Sequence, residues 1–417
     1  MRCLLLLFAA ATALAQTTPQ TRISRITENL RGVSAVSQKI AWASGTHGTY
    51  LRTTDGHIWI PDRVPGADSL DFRGIVAFTA DEAFLMSSGP GDQSRIYHTS
   101  DAGRHWQLQF TNTNPKGFFD SIAFWDRTHG IVLGDPIPDE TGTLKFELLM
   151  TDDGQTWTHI PPSQLPPALE GEAAFAASNT CLAILHTDVA SPHPVILPAP
   201  VIKTPVIPSA ARDLGVAGAT NAVIMTTAQA QPWKSGASAP RQPKDKEGAL
   251  APDPNIWFAT GGRAARVFHS PDGGRTWEVF DTPITHGPDS AGIFSIAFRD
   301  ATHGVIAGGD YKLPQQDGPN LAFTADAGKT WTLSKIFPQS YYSAAAYDRH
   351  PRKINKDEAQ DRIFLVGTNF IYDFRPPQNP TRISAQKKSD SQFNAISPYP
   401  QGGALAVGPK GTIITVP

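Results

Sequence analysis

The chain has 417 residues, and its 36 Lys and Arg against 38 Asp and Glu give a formal net charge of −2. Such balance leaves no electrostatic footprint for nucleic acid, and Gly32, Gly45 and Gly48 are too scattered to form a phosphate or dinucleotide loop. The length would hold two or three average domains, or one closed ring of repeated sheets.

At the N-terminus, Arg2 precedes the apolar run Leu4 to Phe8, and Ala13-Leu14-Ala15 leads into Gln16. A basic start, a short apolar core and a small-x-small exit predict a signal peptide over residues 1–15, cleaved near Ala15. The mature protein is then expected in the periplasm or outside the cell. The apolar run is too short for a bilayer, so no membrane span is expected in the mature chain. Of the 2 cysteines, Cys181 alone would remain, in the apolar run CLAIL, where a buried, inert thiol is expected.

Further along, one short box recurs: TTDGHIW at 53–59, TSDAGRHW at 99–106, MTDDGQTW at 150–157, SPDGGRTW at 270–277 and TADAGKTW at 324–331. An apolar, strand-like segment precedes each box and another strand follows its Trp. An Asp carboxylate that accepts backbone N–H bonds, then a Gly with a backbone angle other residues resist, makes a hairpin turn. The structural positions read from the pattern are Asp55; Asp101, Gly103 and Trp106; Asp152, Gly154 and Trp157; Asp272, Gly274 and Trp277; Asp326, Gly328 and Trp331. In the third copy Met150 stands where Ser or Thr usually does. Calcium would need several oxygen ligands per ion and an acidic run the boxes lack, so no metal is expected.

The Trp residues that close neighbouring boxes lie about 50 residues apart, a spacing that marks a stack of small sheets. From Trp157 to Trp277 the gap is more than twice that, but residues 187–254 are rich in Pro, Ala, Ser and Thr. They read as a disordered insertion within one repeat. The first repeat takes residues 32–54, and others begin near Phe72, Phe118, Gly171 and Gly292. A sixth, without a box, runs from 341 to its outer strand at Thr381-Arg382-Ile383-Ser384. A seventh stops after its third strand, at 412–416. Residues 21–27 (TRISRIT) resemble that outer strand and have no inner strands ahead of them. The expectation is an all-β, seven-bladed β-propeller, a single domain over 16–417 whose N-terminal strand closes the last blade.

Turns of a propeller alternate between two faces. The boxes share one face with the first-to-second-strand turns, among them Asp126 to Gly130 and Asp300 to Gly304, so His129 and His303 read as turn residues. Opposite them, Asp135, Arg263, Asp310 and Tyr311 follow second strands. Arg73, Asp120, Glu172, Ser295 and Tyr342 come from the loops that lead into blades, and Arg266 lies close by. Polar groups converging at a channel mouth form the candidate binding face.

The boxes are similar to Asp-box (BNR) repeats, found in sialidases, sortilin-type receptors and photosystem II stability/assembly factors. FFDSIAF at 118–124, GIVLGD at 130–135, GEAAF at 171–175, FATGG at 258–262 and GIFSIAF at 292–298 resemble bacterial relatives of that assembly-factor family. The resemblance implies an exported, non-catalytic monomer that binds a protein client. In that family an arginine-rich patch is implicated in client contact, and Arg73, Arg263 and Arg266 are scattered candidates for its counterpart here. The alternative is a carbohydrate-active enzyme or sugar-binding module using Asp135, Glu172 and Asp310. Against catalysis, Thr21 to Ser24 is not the Arg-Ile-Pro signature of sialidases, no G-x-S-x-G elbow occurs, and no cofactor motif is present. No catalytic residue and no cofactor are expected.

Overall fold

The computed structural model describes residues 19–185, 253–334, 340–350, 352–353, 359–368, 370–375, 384–389 and 392–417; at 352–353, 359–360, 375 and 384–389 only the backbone is described. The expected signal peptide and residues 187–252 of the expected insertion lie outside them. Apart from two short 3-10 turns, every regular element among the described residues is a strand. The strands form seven blades of four antiparallel strands each.

Blade 1 runs through Leu30–Ala35, Ala41–Gly45, Thr49–Thr53 and Ile60–Arg63. Blade 2 has Asp71–Ala77, Ala83–Ser88, Arg95–Thr99 and Gln107–Thr111. Blade 3 has Phe119–Phe124, Gly130–Pro138, Leu144–Thr151 and Thr158–His159. Blade 4 uses Leu182–Leu185, Asn255–Ala259, Arg266–Ser270 and Glu278–Asp281. Blade 5 follows with Ala291–Phe298, Gly304–Asp310, Leu321–Thr324 and Thr332–Leu333. Blade 6 comprises Tyr342–Tyr347, Ile363–Gly367, Phe370–Arg375 and Ser384–Ser389. Ala395–Pro398, Ala404–Gly408 and Thr412–Val416 make three strands of blade 7.

Its fourth strand is Gln20–Arg22, which pairs antiparallel with Thr412–Val416, Thr21 opposite Ile414. The two ends of the chain therefore share one sheet, as the orphan strand in the sequence implied. A hydrophobic cluster seals the seam: Leu30, Leu51 and Trp59 of blade 1 pack with Tyr399, Leu405 and Ile413 of blade 7. Similar clusters fill the other gaps, such as Trp42, Tyr50, Phe72 and Leu85 between blades 1 and 2. Side chains from facing sheets interdigitate there, so the core lies between blades.

Two expectations need correction. Blade 4 does not begin at Gly171. Its inner strand is Leu182–Leu185, while Glu172–Ala173 pairs with Gly261–Gly262 at the far end of the blade. The apolar pattern is the reason: LAIL pairs over its whole length with residues 255–258, whereas only Glu172 and Ala173 of GEAAF find ladder partners. The outer strand of blade 6 begins at Ser384, and Thr381 to Ile383 lie outside the described residues.

The second correction is one of register. Asp272 Oδ1 accepts bonds from Arg275 N at 3.1 Å, Thr276 N at 2.9 Å and Ser270 Oγ at 2.9 Å. Ser270 Oγ in turn accepts Gly274 N at 2.8 Å, and Gly274 sits at φ +93°. Asp55, Asp101 and Asp326 accept bonds in the same way. In the third copy the acceptor is Asp153, taking Gln155 N at 2.8 Å and Thr156 N at 2.7 Å, not Asp152. Thr151 supplies the hydroxyl, so Met150 is not in the motif: this copy is one residue shorter, like the one at 53–59. The closing rings of Trp59, Trp157 and Trp277 are buried, those of Trp106 and Trp331 partly so.

Candidate functional site

A bulge repeats in the inner strands and builds the site. Opposite Gly45 and Ser44 stand Leu30 and Gly32, which leaves Arg31 unpaired. Arg73 of blade 2, Asp120 of blade 3, Phe294 of blade 5 and Ser343 of blade 6 are skipped in the same way. An extra residue in one strand bends it and re-aims the side chain. All five line one cavity of about 490 Å³ at the channel mouth, joined by Ala176 and Asn394 from blades 4 and 7.

The residue after each bulge is small because the next blade is close. A Cβ on Gly32 would lie 2.8 Å from Arg73 O, and one on Gly74 would lie 2.7 Å from Ile122 Cγ2. At this level the blades are also latched by hydrogen bonds. Ala77 N donates to Ser34 Oγ at 3.0 Å, Ile122 N to Asn179 Oδ1 at 2.8 Å, Ala345 N to Ser295 Oγ at 2.9 Å and Ala35 N to Ser397 Oγ at 3.1 Å.

Charge is unevenly placed around the mouth. Asp71 holds both guanidinium groups, Arg73 Nε at 2.8 Å and Arg31 Nη2 at 3.5 Å. Arg73 Nη1 also donates to Ala176 O at 3.3 Å. Burial lowers the Arg31 pKa, and its Nε has no hydrogen-bond partner among the described residues. Beside them, Asp135 Oδ1 accepts Ala174 N at 3.0 Å, and burial pushes its pKa up to about 6. Asp120 is 1% exposed, and its Oδ2 has no hydrogen-bond partner among the described residues. Burial first, then the neighbouring Asp135 carboxylate, raises its pKa well above the usual range, while Arg73 opposes the rise. Burial of one carboxyl near another makes the proton harder to remove than from a solvated side chain.

Across the mouth the wall is aromatic. Phe175 stacks on Phe294 with ring centroids 4.0 Å apart, and Tyr341 meets Phe294 edge-on at 4.8 Å. Tyr311, half exposed, stands at 6.1 Å from Phe294.

Of the eight residues proposed from sequence, Arg73, Asp120, Asp135 and Tyr311 line the cavity, whereas Glu172, Arg263, Arg266 and Asp310 do not. Glu172 and Arg266 form a buried clasp. Glu172 Oε1 accepts Arg266 Nε at 3.0 Å and Thr260 Oγ1 at 2.6 Å, and Oε2 accepts Leu169 N at 2.8 Å and Arg266 Nη2. Arg266 Nη2 also reaches Pro167 O at 3.0 Å, so the clasp fixes the strap leading to Phe175. Arg263 is exposed, with its stem beside Gly171. Asp310 accepts Lys312 N at 2.9 Å within its own turn.

Sequence reading missed Arg31, Phe175, Phe294, Tyr341, Ser343 and Asn394. It chose Ser295, one position past Phe294, and Tyr342, one position before Ser343, because strict alternation ignores the bulge. The missing signal was an alignment of inner strands: LRGV at 30–33, FRGI at 72–75, FDSI at 119–122, IFSI at 293–296, YSAA at 342–345 and FNAI at 393–396. In each, the second residue faces the channel and the third is small.

Away from the mouth, His129 and His303 sit in turns where Asp126 and Asp300 accept their backbone N–H groups at 2.8 Å. Cys181 is fully buried, and burial pushes its thiol pKa up. No group of three or more His, Cys, Asp or Glu able to hold a metal occurs among the described residues. Nor is any helix there long and apolar enough to cross a membrane.

No family model matches the chain, and no curated protein does. Solved structures do. The structure of YCF48 bound to a D1 peptide is 13% identical, covers 97% of this chain and 98% of its own, and has a TM-score of 0.55. YCF48 from Cyanidioschyzon merolae is 12% identical over 96% of this chain and 98% of its own, with a TM-score of 0.54. A GH74 xyloglucanase from Xanthomonas campestris is 13% identical over 94% of this chain and 53% of its own, with a TM-score of 0.51. At these identities the likeness establishes the propeller fold.

Proposed function

We propose that this chain is an exported, non-catalytic propeller of the Asp-box type that binds a segment of a client protein at its channel mouth. The observation that carries the reading is the ring of bulge residues, which with Asn394 presents Arg31, Arg73, Asp120, Phe294 and Ser343 to one cavity. Charged, amide and aromatic groups converging at a mouth are what a binding site requires. The structural likeness to YCF48 bound to a D1 peptide supports a polypeptide as occupant. Export rests on Arg2, the run Leu4 to Phe8 and the exit at Ala15. Co-purification of the tagged chain from its native cell envelope tests the reading. One stoichiometric partner should be retained by wild type and by Arg127→Glu on the opposite face, and lost by Arg73→Glu. N-terminal mass spectrometry should find a chain that begins at Gln16.

A second reading has its own support. Asp120 and Asp135 form a carboxyl pair beside an aromatic wall, and a xyloglucanase shares the fold. Carbohydrate hydrolysis would use such a pair, one carboxyl protonated. Turnover of xyloglucan or sialosides that is lost in Asp135→Asn would establish it and displace the scaffold reading. The earlier trio cannot serve, because Glu172 and Asp310 do not line the cavity.

A further inference from the structure

Three features of the mouth point to a ligand smaller than a protein. Around the ring, Arg31, Arg73 and Asp120 come from blades 1, 2 and 3, so cationic and anionic groups sit side by side along one arc. Both signs are undersatisfied: Arg31 Nε and Asp120 Oδ2 have no partner among the described residues, and Arg31 is tethered to Asp71 by only one long contact of 3.5 Å. Opposite the arc, Phe175, Phe294 and Tyr341 make an apolar wall. The cavity of about 490 Å³ has the size of a small-molecule pocket.

We propose that the channel mouth binds a small zwitterion of the α-amino acid class with an apolar or aromatic side chain. Its ammonium donates to Asp120 and Asp135, its carboxylate accepts from Arg31 and Arg73, and its side chain lies against Phe175, Phe294 and Tyr341. A ligand with one charge satisfies only half the arc. It leaves either Arg31 Nε or Asp120 Oδ2 without a hydrogen-bond partner, which a site of this kind discriminates against. The interior of a polypeptide carries neither end charge, so a zwitterion and the client segment proposed above would compete for the same cavity.

Isothermal titration of the full chain at pH 7.5 tests the proposal with four probes: L-phenylalanine, phenethylamine, 3-phenylpropionate and N-acetylphenylalanine amide. L-Phenylalanine should bind at least about tenfold more tightly than each of the others. Asp120→Asn should reduce its affinity to that of 3-phenylpropionate, and Arg31→Gln to that of phenethylamine, with circular dichroism confirming that both variants fold. No heat from L-phenylalanine up to its solubility limit overturns the proposal, as do four affinities within about twofold of one another. Preference of the wild-type chain for the blocked amide also overturns it, and returns the mouth to a polypeptide segment. The wild-type selectivity decides the matter even if a variant is unstable.

Discussion

Asp135 titrates in a window where the folded state holds a proton that the unfolded chain has already released. Its pKa rises from the ordinary 3.8 to about 6 through burial, so the native state binds more protons between those values. Stability should therefore be highest below about pH 4 for this group, fall as pH rises towards 6, and level off above. Asp135→Asn keeps an acceptor for Ala174 N and removes the titration. The variant should gain on the order of 1–3 kcal/mol over wild type at pH 7.5 and nothing at pH 4, read by denaturant unfolding at both. A residue that stabilises the fold when replaced is one retained for binding. The box register gives a second test at this scale. Asp153→Ala strips two backbone amides and two hydroxyls of their acceptor and should lower the thermal midpoint by a few degrees. Asp152→Ala should leave it unchanged, and equal effects would mean the turn is wrongly registered.

Strands and straps carry the next level of explanation. The inner strands combine a bulge, which aims one side chain at the channel, with a small residue, which admits the neighbouring blade. Gly74→Leu sets a side chain against Ile122 and Asn179 and should cost about 1–3 kcal/mol, measured by chemical denaturation. The strap over the site depends instead on the Glu172–Arg266 clasp. Glu172→Ala leaves a buried guanidinium unpaired, which should cost about 3–5 kcal/mol, and it should also loosen Phe175. Ring-current shifts of Phe294 would report that loosening. These elements also mark where legibility ended. Each box announces itself because a turn needs fixed residue types at fixed offsets. Arg31 and Phe294 were hidden because a bulge breaks the two-residue period on which strand reading relies. Glu172 and Arg266 looked like site residues because sequence shows charge but not that two charges lie buried against each other.

At the scale of the molecule, the ring was readable because its repeat recurs and because Thr21 to Thr27 had nowhere else to pair. The site was not, since it is assembled from one residue per blade and no contiguous motif records it. Closure itself can be tested. Removing residues 19–27 exposes Thr412–Val416 as a bare edge beside the Trp59 seam, and the shortened protein should self-associate. Light scattering after size-exclusion chromatography would register oligomers, while a monodisperse monomer would show that the seam holds without the strand. The pairing of Gln20–Arg22 with Thr412–Val416 also sets a schedule for biosynthesis. The earlier segment has to wait for the later one, so a product cut short before Thr412 leaves the ribosome with Gln20–Arg22 unpartnered. A check on synthesis is thereby written into the architecture, because the ring locks only once both of these strands exist.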